Sequence, residues 1–429
     1  MALHFDGATT ALPGTDILAP ATDSRAIDHA GEITLSLYDS LEACAVAWRT
    51  FEEVADHTVF QTFGWLSTWM RTVGGRTRAR PAIVIGQAPN GAVLFLMPFA
   101  VERHAMVSRL TWLGSDLSDY NAPLLAPGFA AAMCARRFAA LWRRIRGSLM
   151  ADPRFRHDIV SLEKMPDVVG GQRNPFSFLP LAANPSGAHA ATLSGDWEAF
   201  YAAKRSNSTR KNDKAKRRKL GDLGEVRFLE PSEDSDIRRT LAELFRQKAG
   251  QFARMGVVDV FARPGFAEFF AELATDPATR SLVHVSRLDV GDIMAATNLG
   301  LVHCGRYYHV LAAYADGETA RFGPGAAHLR DLLRTAIERG CREFDFTIGD
   351  EPYKREWADS TLALRDLHTG ATSAGWILAL SVRGFTRAKR TIKQTPALWR
   401  AFSRARALGA RLTGRRPIAA PEAKPAAED

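Results

Sequence analysis

Three short runs between Arg306 and Trp357 hold residue types that can move protons or grip anions. The first, Arg306-Tyr-Tyr-His-Val310, alternates with a period of two, so Tyr307 and His309 share one face of an extended segment and Tyr308 and Val310 the other. An imidazole titrates near neutral pH. His309 could therefore act as a general base in an acceptor cleft lined by Tyr307, although a half-buried strand with a hydrogen-bonded histidine fits the same letters. The second, Glu343-Phe-Asp-Phe-Thr-Ile348, sets Asp345 with Glu343 and Thr347 opposite Phe344 and Phe346. A carboxylate buried in a central strand is costly alone, so Asp345 needs either a cationic partner or a raised pKa and a base's role. The third, Gly349-Asp-Glu-Pro-Tyr-Lys354, follows that strand's carboxyl end, where α/β folds commonly bind ligands. Its Tyr353 offers a phenol proton and its Lys354 a cation. A surface turn with solvated charges is the plainer alternative.

Between the first two runs lies Arg321-Phe-Gly-Pro-Gly-Ala326, opening a helix to about Arg339. Unpaired amides at a helix start attract phosphate, and glycine lets a ligand approach closely. Gly323, Gly325, Ala326 and Ala327, with Arg321, form the candidate grip. Pro324 removes one donor, and an ordinary strand-to-helix turn has the same punctuation.

These runs must be held by a strand–helix–strand unit, and the chain contains that unit twice. The first copy has strands at Ala82–Gln87 and Val93–Val101 about an Asn90-Gly91 turn, a strand at Leu110–Leu113, a helix from Phe129 to about Arg146 and a strand at His157–Leu162. The second has strands at Leu282–Leu288, Ile293–Leu301 and Tyr307–Ala313, the Gly325 helix, and the strand at Glu343–Ile348. The Pro-Gly steps opening the two helices are 197 residues apart, as a duplication would leave them. Leu41–Ala55, Trp197–Lys204, Ile237–Phe252, Trp376–Lys393 and Pro396–Leu412 read as amphipathic helices.

Length, charge and cysteines bound the answer. A chain of 429 residues is too long for one core. The net charge of +9 is concentrated in two stretches: nine Lys/Arg against Asp213 in 204–219, and eleven Lys/Arg with no acid in 383–416. The first has no interleaved aromatic to stack bases, which argues against nucleic acid. The second could lie on an anionic membrane face. Cys44, Cys134, Cys304 and Cys341 are scattered like free thiols, and Cys304 beside His303 lacks the further ligands of a metal site, so no metal is expected. No run of eighteen apolar residues and no secretory leader occurs, which suggests a cytoplasmic protein, and the basic stretch at 383–416 could bring it to the inner membrane face. Walker, Rossmann, Gly-x-Ser-x-Gly and His-Glu-x-x-His motifs are absent.

The chain resembles the CelD-like branch of the GNAT acyltransferase superfamily, itself related to FemAB-like peptidoglycan transferases. The resemblance rests on Phe60-Gln-Thr-Phe-Gly-Trp65, Leu96-Met-Pro-Phe99, Leu113-Gly-Ser-Asp-Leu-Ser-Asp-Tyr120, the segment from Trp197 through the basic run, Phe344-Asp-Phe346 and Gly349…Trp357, and it spans most of residues 35–380. It implies an α/β (α+β) fold of tandem duplicated GNAT-like domains, each a mixed, mostly antiparallel sheet flanked by helices, followed by basic C-terminal helices. The expected layout is a disordered leader (1–32), an N-terminal GNAT-like domain (33–185), a C-terminal acyltransferase domain (190–375), basic helices (376–416) and a disordered tail (417–429). The resemblance further implies transfer of an acyl group, acetyl the simplest, from acyl-CoA to an amine or glycan-precursor acceptor in envelope or exopolysaccharide synthesis. Asp345 or His309 would be the base and Tyr353 the acid to sulfur. Arg321, Gly323, Gly325, Ala326, Ala327 and Lys354 would hold the CoA, while Asp119, Tyr120, Tyr307 and Arg210 would meet the acceptor. Two alternatives stay open: FemAB-like transfer from aminoacyl-tRNA, and a non-catalytic membrane-associated adaptor with a degenerate pocket.

Overall fold

The computed structural model describes residues 33–104 and 107–395. The first part of the chain supplies β1 (Thr34–Tyr38), β2 (Arg80–Gln87), β3 (Val93–His104), β4 (Val107–Trp112) and β5 (Ile159–Pro166). The rest supplies β6 (Ala188–Thr192), β7 (Val226–Leu229), β8 (Val283–Val290), β9 (Ile293–His303), β10 (Arg306–Tyr314), β11 (Glu343–Ile348), β12 (Ser360–Leu362) and β13 (Leu364–Gly370). They form two sheets of mixed, mostly antiparallel strands. One runs β1-β2-β3-β4-β5-β13 with Ala182–Ala183 at its edge; the other runs β7-β8-β9-β10-β11-β6-β12.

The turns follow local chemistry. Gly91 (φ +83°) turns β2 into β3, and Gly291 (φ +57°) turns β8 into β9 within the expected break between residues 288 and 293, β8 running two residues longer to Val290. In each half the fourth and fifth strands run parallel, β4 with β5 through Arg109↔Ile159 and Leu110↔Val160, and β10 with β11 through Arg306↔Glu343, Tyr307↔Phe344 and Tyr308↔Asp345. The duplication expected from the sequence is therefore present in the topology.

One boundary differs from expectation. The strand beside β5 is β13, from the end of the described chain, while β6, which precedes the second half, pairs with β11. The first sheet thus takes a strand from the end of the described chain, while every strand of the second sheet lies between residues 188 and 362. The helices α1 (Ala45–Glu52), α2 (Phe63–Trp69), α3 (Ala135–Ala151), α4 (Trp197–Lys204), α5 (Asn207–Gly221), α6 (Asp234–Met255), α7 (Phe266–Thr275), α8 (Pro324–Glu338), α9 (Pro352–Trp357) and α10 (Ser373–Gln394) flank the sheets. The expected leader, the 396–412 helix and the tail lie outside the described residues.

Helices α2 and α7 join the halves. Trp65 meets Phe269 edge-on at 4.8 Å, and one apolar cluster runs from Trp48, Phe60 and Trp65 through Tyr120 to Tyr308 and Leu311. A shared core of this kind fixes the relation of the sheets, because burying apolar surface is the largest favourable contribution to packing.

Candidate active site

Beyond Tyr308↔Asp345 the parallel strands of the second half part. Two irregularities mark the place. Opposite it, β10 carries an extra residue against β9, with Leu299 facing Leu311 but Gly300 facing His309, so that Val310 stands out of register. In β11, Thr347 adopts φ +58°, a left-handed conformation that a β-branched residue holds only under constraint. Helix α8 begins beside the open end, with Gly325 against the ring of Tyr314, the last residue of β10; a Cβ there would lie 3.2 Å from the ring.

Asp345 occupies the last paired rung and is 1% exposed. Its Oδ1 accepts from the Tyr120 hydroxyl at 2.7 Å and the Thr347 amide at 2.8 Å, and its Oδ2 from Arg306 Nη1 at 3.2 Å. Arg306 also donates to Glu343 at 2.7 Å. Burial pushes the Asp345 carboxyl up, opposed by Arg306, Tyr120 and the Thr347 amide. Burial and the neighbouring Asp345 charge hold the Tyr120 phenol well above its usual value, so it remains a donor. Asp119, next along the same loop, is also pushed up by burial, against the pull of Lys164, Thr347 and Lys354. Both alternatives for Asp345 are thus present together, a cationic partner and a raised pKa.

A cavity of about 430 Å³ opens onto this cluster between the halves, lined by Tyr120, Arg306, Tyr308 and Asp345, with His57, His189 and Arg342 further out. The ring Nε2 atoms of His57 and His189 are buried without hydrogen-bond partners among the described residues, an unusual expense unless something else meets them. Burial lowers both imidazoles' affinity for a proton.

Several expected site residues lie elsewhere. The period of two separated the faces of β10, but the face toward the first half is that of Arg306 and Tyr308. Tyr307 faces α8: it is fully buried, stacks on Phe344 at 4.8 Å and bonds His284 Nδ1 at 2.8 Å, so it cannot line the cleft. His309 follows it inward. Asn298, in the amide orientation that satisfies its surroundings, donates to His309 Nδ1 at 2.9 Å and accepts from Tyr307. Burial, with Lys354 and Lys248 nearby, lowers the His309 pKa to about 3, far below what a base at neutral pH requires. Tyr353 packs edge-on against Phe346 at 6.3 Å, on the opposite side of β11 from Asp345, and burial pushes its phenol upward.

The helix start is less open than expected. The Ala326 and Ala327 amides both donate to the Gly323 carbonyl at 3.1 Å, and the Gly323 amide donates to Ala320. With Pro324 lacking a donor, the Gly325 amide is left with no partner among the described residues. Arg321 is exposed and paired with Glu318 at 3.0 Å. Lys354 is not a surface cation: it is 4% exposed, donates to the Ile348 carbonyl at 2.8 Å and pairs with Glu351 at 3.0 Å. Gly349 (φ +136°) leaves the room that brace requires. Arg210 lies on α5 beside Glu198 and Tyr201, away from the cavity.

Four residues of the cluster were not legible from the sequence. Lys164 (φ +59°) donates to the Ser115 and Ser118 carbonyls at 2.7 and 2.8 Å and so shapes the Asp119-Tyr120 loop. His57, His189 and Lys248 carry no motif, and only the fold brings them near. Cys304 Sγ lies 3.3 Å from His303 Nε2, but among the described residues no group of three or more His, Cys, Asp or Glu side chains could hold a metal ion.

Residues 207–355, which include both parting strands and α8, match the family model of the acetyltransferase (GNAT) domain. The match supports the GNAT superfamily. Among solved structures, the fold is similar to FemX (TM-score 0.51, 9% identity, 75% of this chain and 95% of that one). Weaker likenesses include a conserved protein of unknown function from Bacteroides thetaiotaomicron (TM-score 0.48, 11% identity, 78% and 99%) and L-PGS from Bacillus licheniformis (TM-score 0.42, 9% identity, 75% and 95%). No curated protein sequence matches. The second half thus has a GNAT fold, with donor and acceptor left to the site's own chemistry.

Proposed function

We propose that this chain moves an acyl group, acetyl the simplest, from acyl-CoA to an amine or a sugar-linked acceptor. The observation that carries the reading is the parting of β10 and β11 directly beyond Asp345, whose carboxyl is held by a tyrosine from the other half. A thioester lying in the gap would present its oxygen to backbone taken out of the ladder at Val310, and its diphosphate to the Gly325 amide. Lys219 and Arg321, each 5.8 Å from the centre of the Phe322 ring, supply positive charge there. The acceptor enters from the interdomain cavity, where His57, His189 and Arg342 offer hydrogen bonds suited to a hydroxylated or anionic group. Its nucleophile attacks the thioester carbonyl, Asp345 takes the proton, and the C–S bond breaks. Tyr353, kept protonated by burial, flanks the gap from the α8 side and returns a proton to the thiolate. Resemblance to the CelD-like branch favours acceptors of envelope or exopolysaccharide assembly, inside the cell and near its membrane.

A thermal-shift screen against CoA, acyl-CoAs and nucleotide sugars tests this. A ligand at 100 times its dissociation constant adds about 2.7 kcal/mol of stability, so an acyl-CoA should raise the melting temperature measurably. Indifference to every acyl-CoA would remove the donor from the scheme.

A second donor has one observation in its favour. Lys211, Lys214, Arg218 and Lys219 project from α5 with no acidic partner among the described residues, and that helix runs up to Phe322 beside the α8 start. A charged tRNA would suit such a face, and its binding would weaken steeply with salt. Salt-insensitive or absent tRNA binding discards this donor.

A further inference from the structure

We propose that the outward face of α10 docks this protein onto an anionic lipid surface. The helix is fixed at its start. Thr372 caps it and donates to Asp158 Oδ1 at 3.0 Å, the Ala371 amide donates to the Asp158 carbonyl at 2.7 Å, and Gly375 packs so closely on that carbonyl that no Cβ would fit. Ala379 is fully buried and the helix lies along β13 and β5. Its opposite side is therefore held outward. There Ile377 is 70% exposed, Leu380 61% and Phe385 72%, with Trp376, 48% exposed, at the edge of this side against Gly370. Large apolar side chains exposed singly are ordinary, but these four sit on one helix within ten residues; of the remaining exposed ones only Met255, Val257 and Val258 group together.

Charge identifies the occupant. From Ala371 to Thr395 the sequence has no Asp or Glu and five Lys/Arg, among them the exposed Arg387. A second copy seated on this face would set the cations of one helix against those of the other, with no acid on either. Phosphate-bearing lipid heads answer the cations while the acyl region takes the aromatic and aliphatic side chains, the usual division of labour for a helix lying in a membrane interface. This inference does not depend on the acyl-transfer reaction.

Cosedimentation of the full chain with vesicles tests it. Binding is expected to vesicles of equal parts phosphatidylglycerol and phosphatidylcholine, not to phosphatidylcholine alone, and should weaken as salt rises. The double variant Leu380→Glu with Phe385→Glu alters only exposed positions. It should melt at the same temperature, keep any response to acyl-CoA, and lose vesicle binding at least about tenfold. Four outcomes overturn the proposal. They are no binding to anionic vesicles, equal binding by the double variant, a change of oligomeric state in the variant instead of lipid binding, and binding that emerges only after removal of residues 396–429, which would mean that this segment covers the stripe.

Discussion

The two halves use the same order of strands and helix yet furnish it oppositely. Counted from the parallel rungs, Asp345 corresponds to Ser161, Tyr308 to Thr111 and His309 to Trp112. Trp112 stacks among Phe99 and Phe176, and Phe129, at the first helix's approach, is fully buried against Phe95 at 5.5 Å. Ser161 and Thr111 stand in the first unit where the second has its carboxylate and phenol, and the bulky Trp112 stands where it has His309. The first half contributes instead through the loop after β4, which delivers Asp119 and Tyr120 to the second half's carboxylate. A duplicated fold can thus divide labour: one copy keeps the gap, and the other becomes the wall that orients its key residue.

The largest expected difference between the halves is catalytic. Asp345→Asn keeps the size of the side chain but removes the base, and should lower kcat by roughly 10²–10⁴-fold with circular dichroism unchanged. The matched change Ser161→Ala removes a hydrogen bond to His368 and should cost about 1 kcal/mol of stability in urea unfolding with transfer intact. Equal activity loss in both variants would make Asp345 a fold element only.

Acidity bears on both halves, and most on the second: burial lowers the first half's His57 and His157 too, but the large shifts lie elsewhere. Burial lowers His303 to about 4 and His309 and His328 to about 3, all in the second half. Unfolded histidines titrate near pH 6.5, so below that pH the unfolded chain takes up protons that the folded chain refuses. Stability should rise with pH from about 4 to 6.5 and fall on acidification, by up to about 1.4 kcal/mol per pH unit for each histidine. His309→Asn should flatten the profile measured by thermal melts between pH 4 and 7. Asp345, raised by burial, acts in the opposite sense, losing stability as pH rises through its own titration, so Asp345→Asn should bend the profile the other way.

The sequence conveyed the hairpins, the duplication and the partition of β10 into two faces, because each is written in local spacing: Asn90-Gly91, the repeated Pro-Gly step, the period of two. It could not say which face of β10 meets the first half, since α8 and the first sheet both present apolar surface to it. Tyr307 and His309 were therefore expected in the cleft and lie in the core. The placement of β13 in the first sheet is equally silent, as pairing between strands so distant depends on neighbours and not on their own letters. Tyr120 and Asp345 are 225 residues apart. Nor do the letters reveal that Gly323, at φ +65°, turns its carbonyl onto the Ala326 and Ala327 amides, which leaves neither free.

Calorimetric titration of the full chain with acetyl-CoA bears most directly on the central claim, that the gap beyond Asp345 receives an acyl donor. One site per chain is predicted, with an affinity in the micromolar range usual for enzyme substrates, and its loss in Gly325→Trp, where the added ring would meet Tyr314. Absence of heat with any acyl-CoA, or full binding by Gly325→Trp, would contradict it.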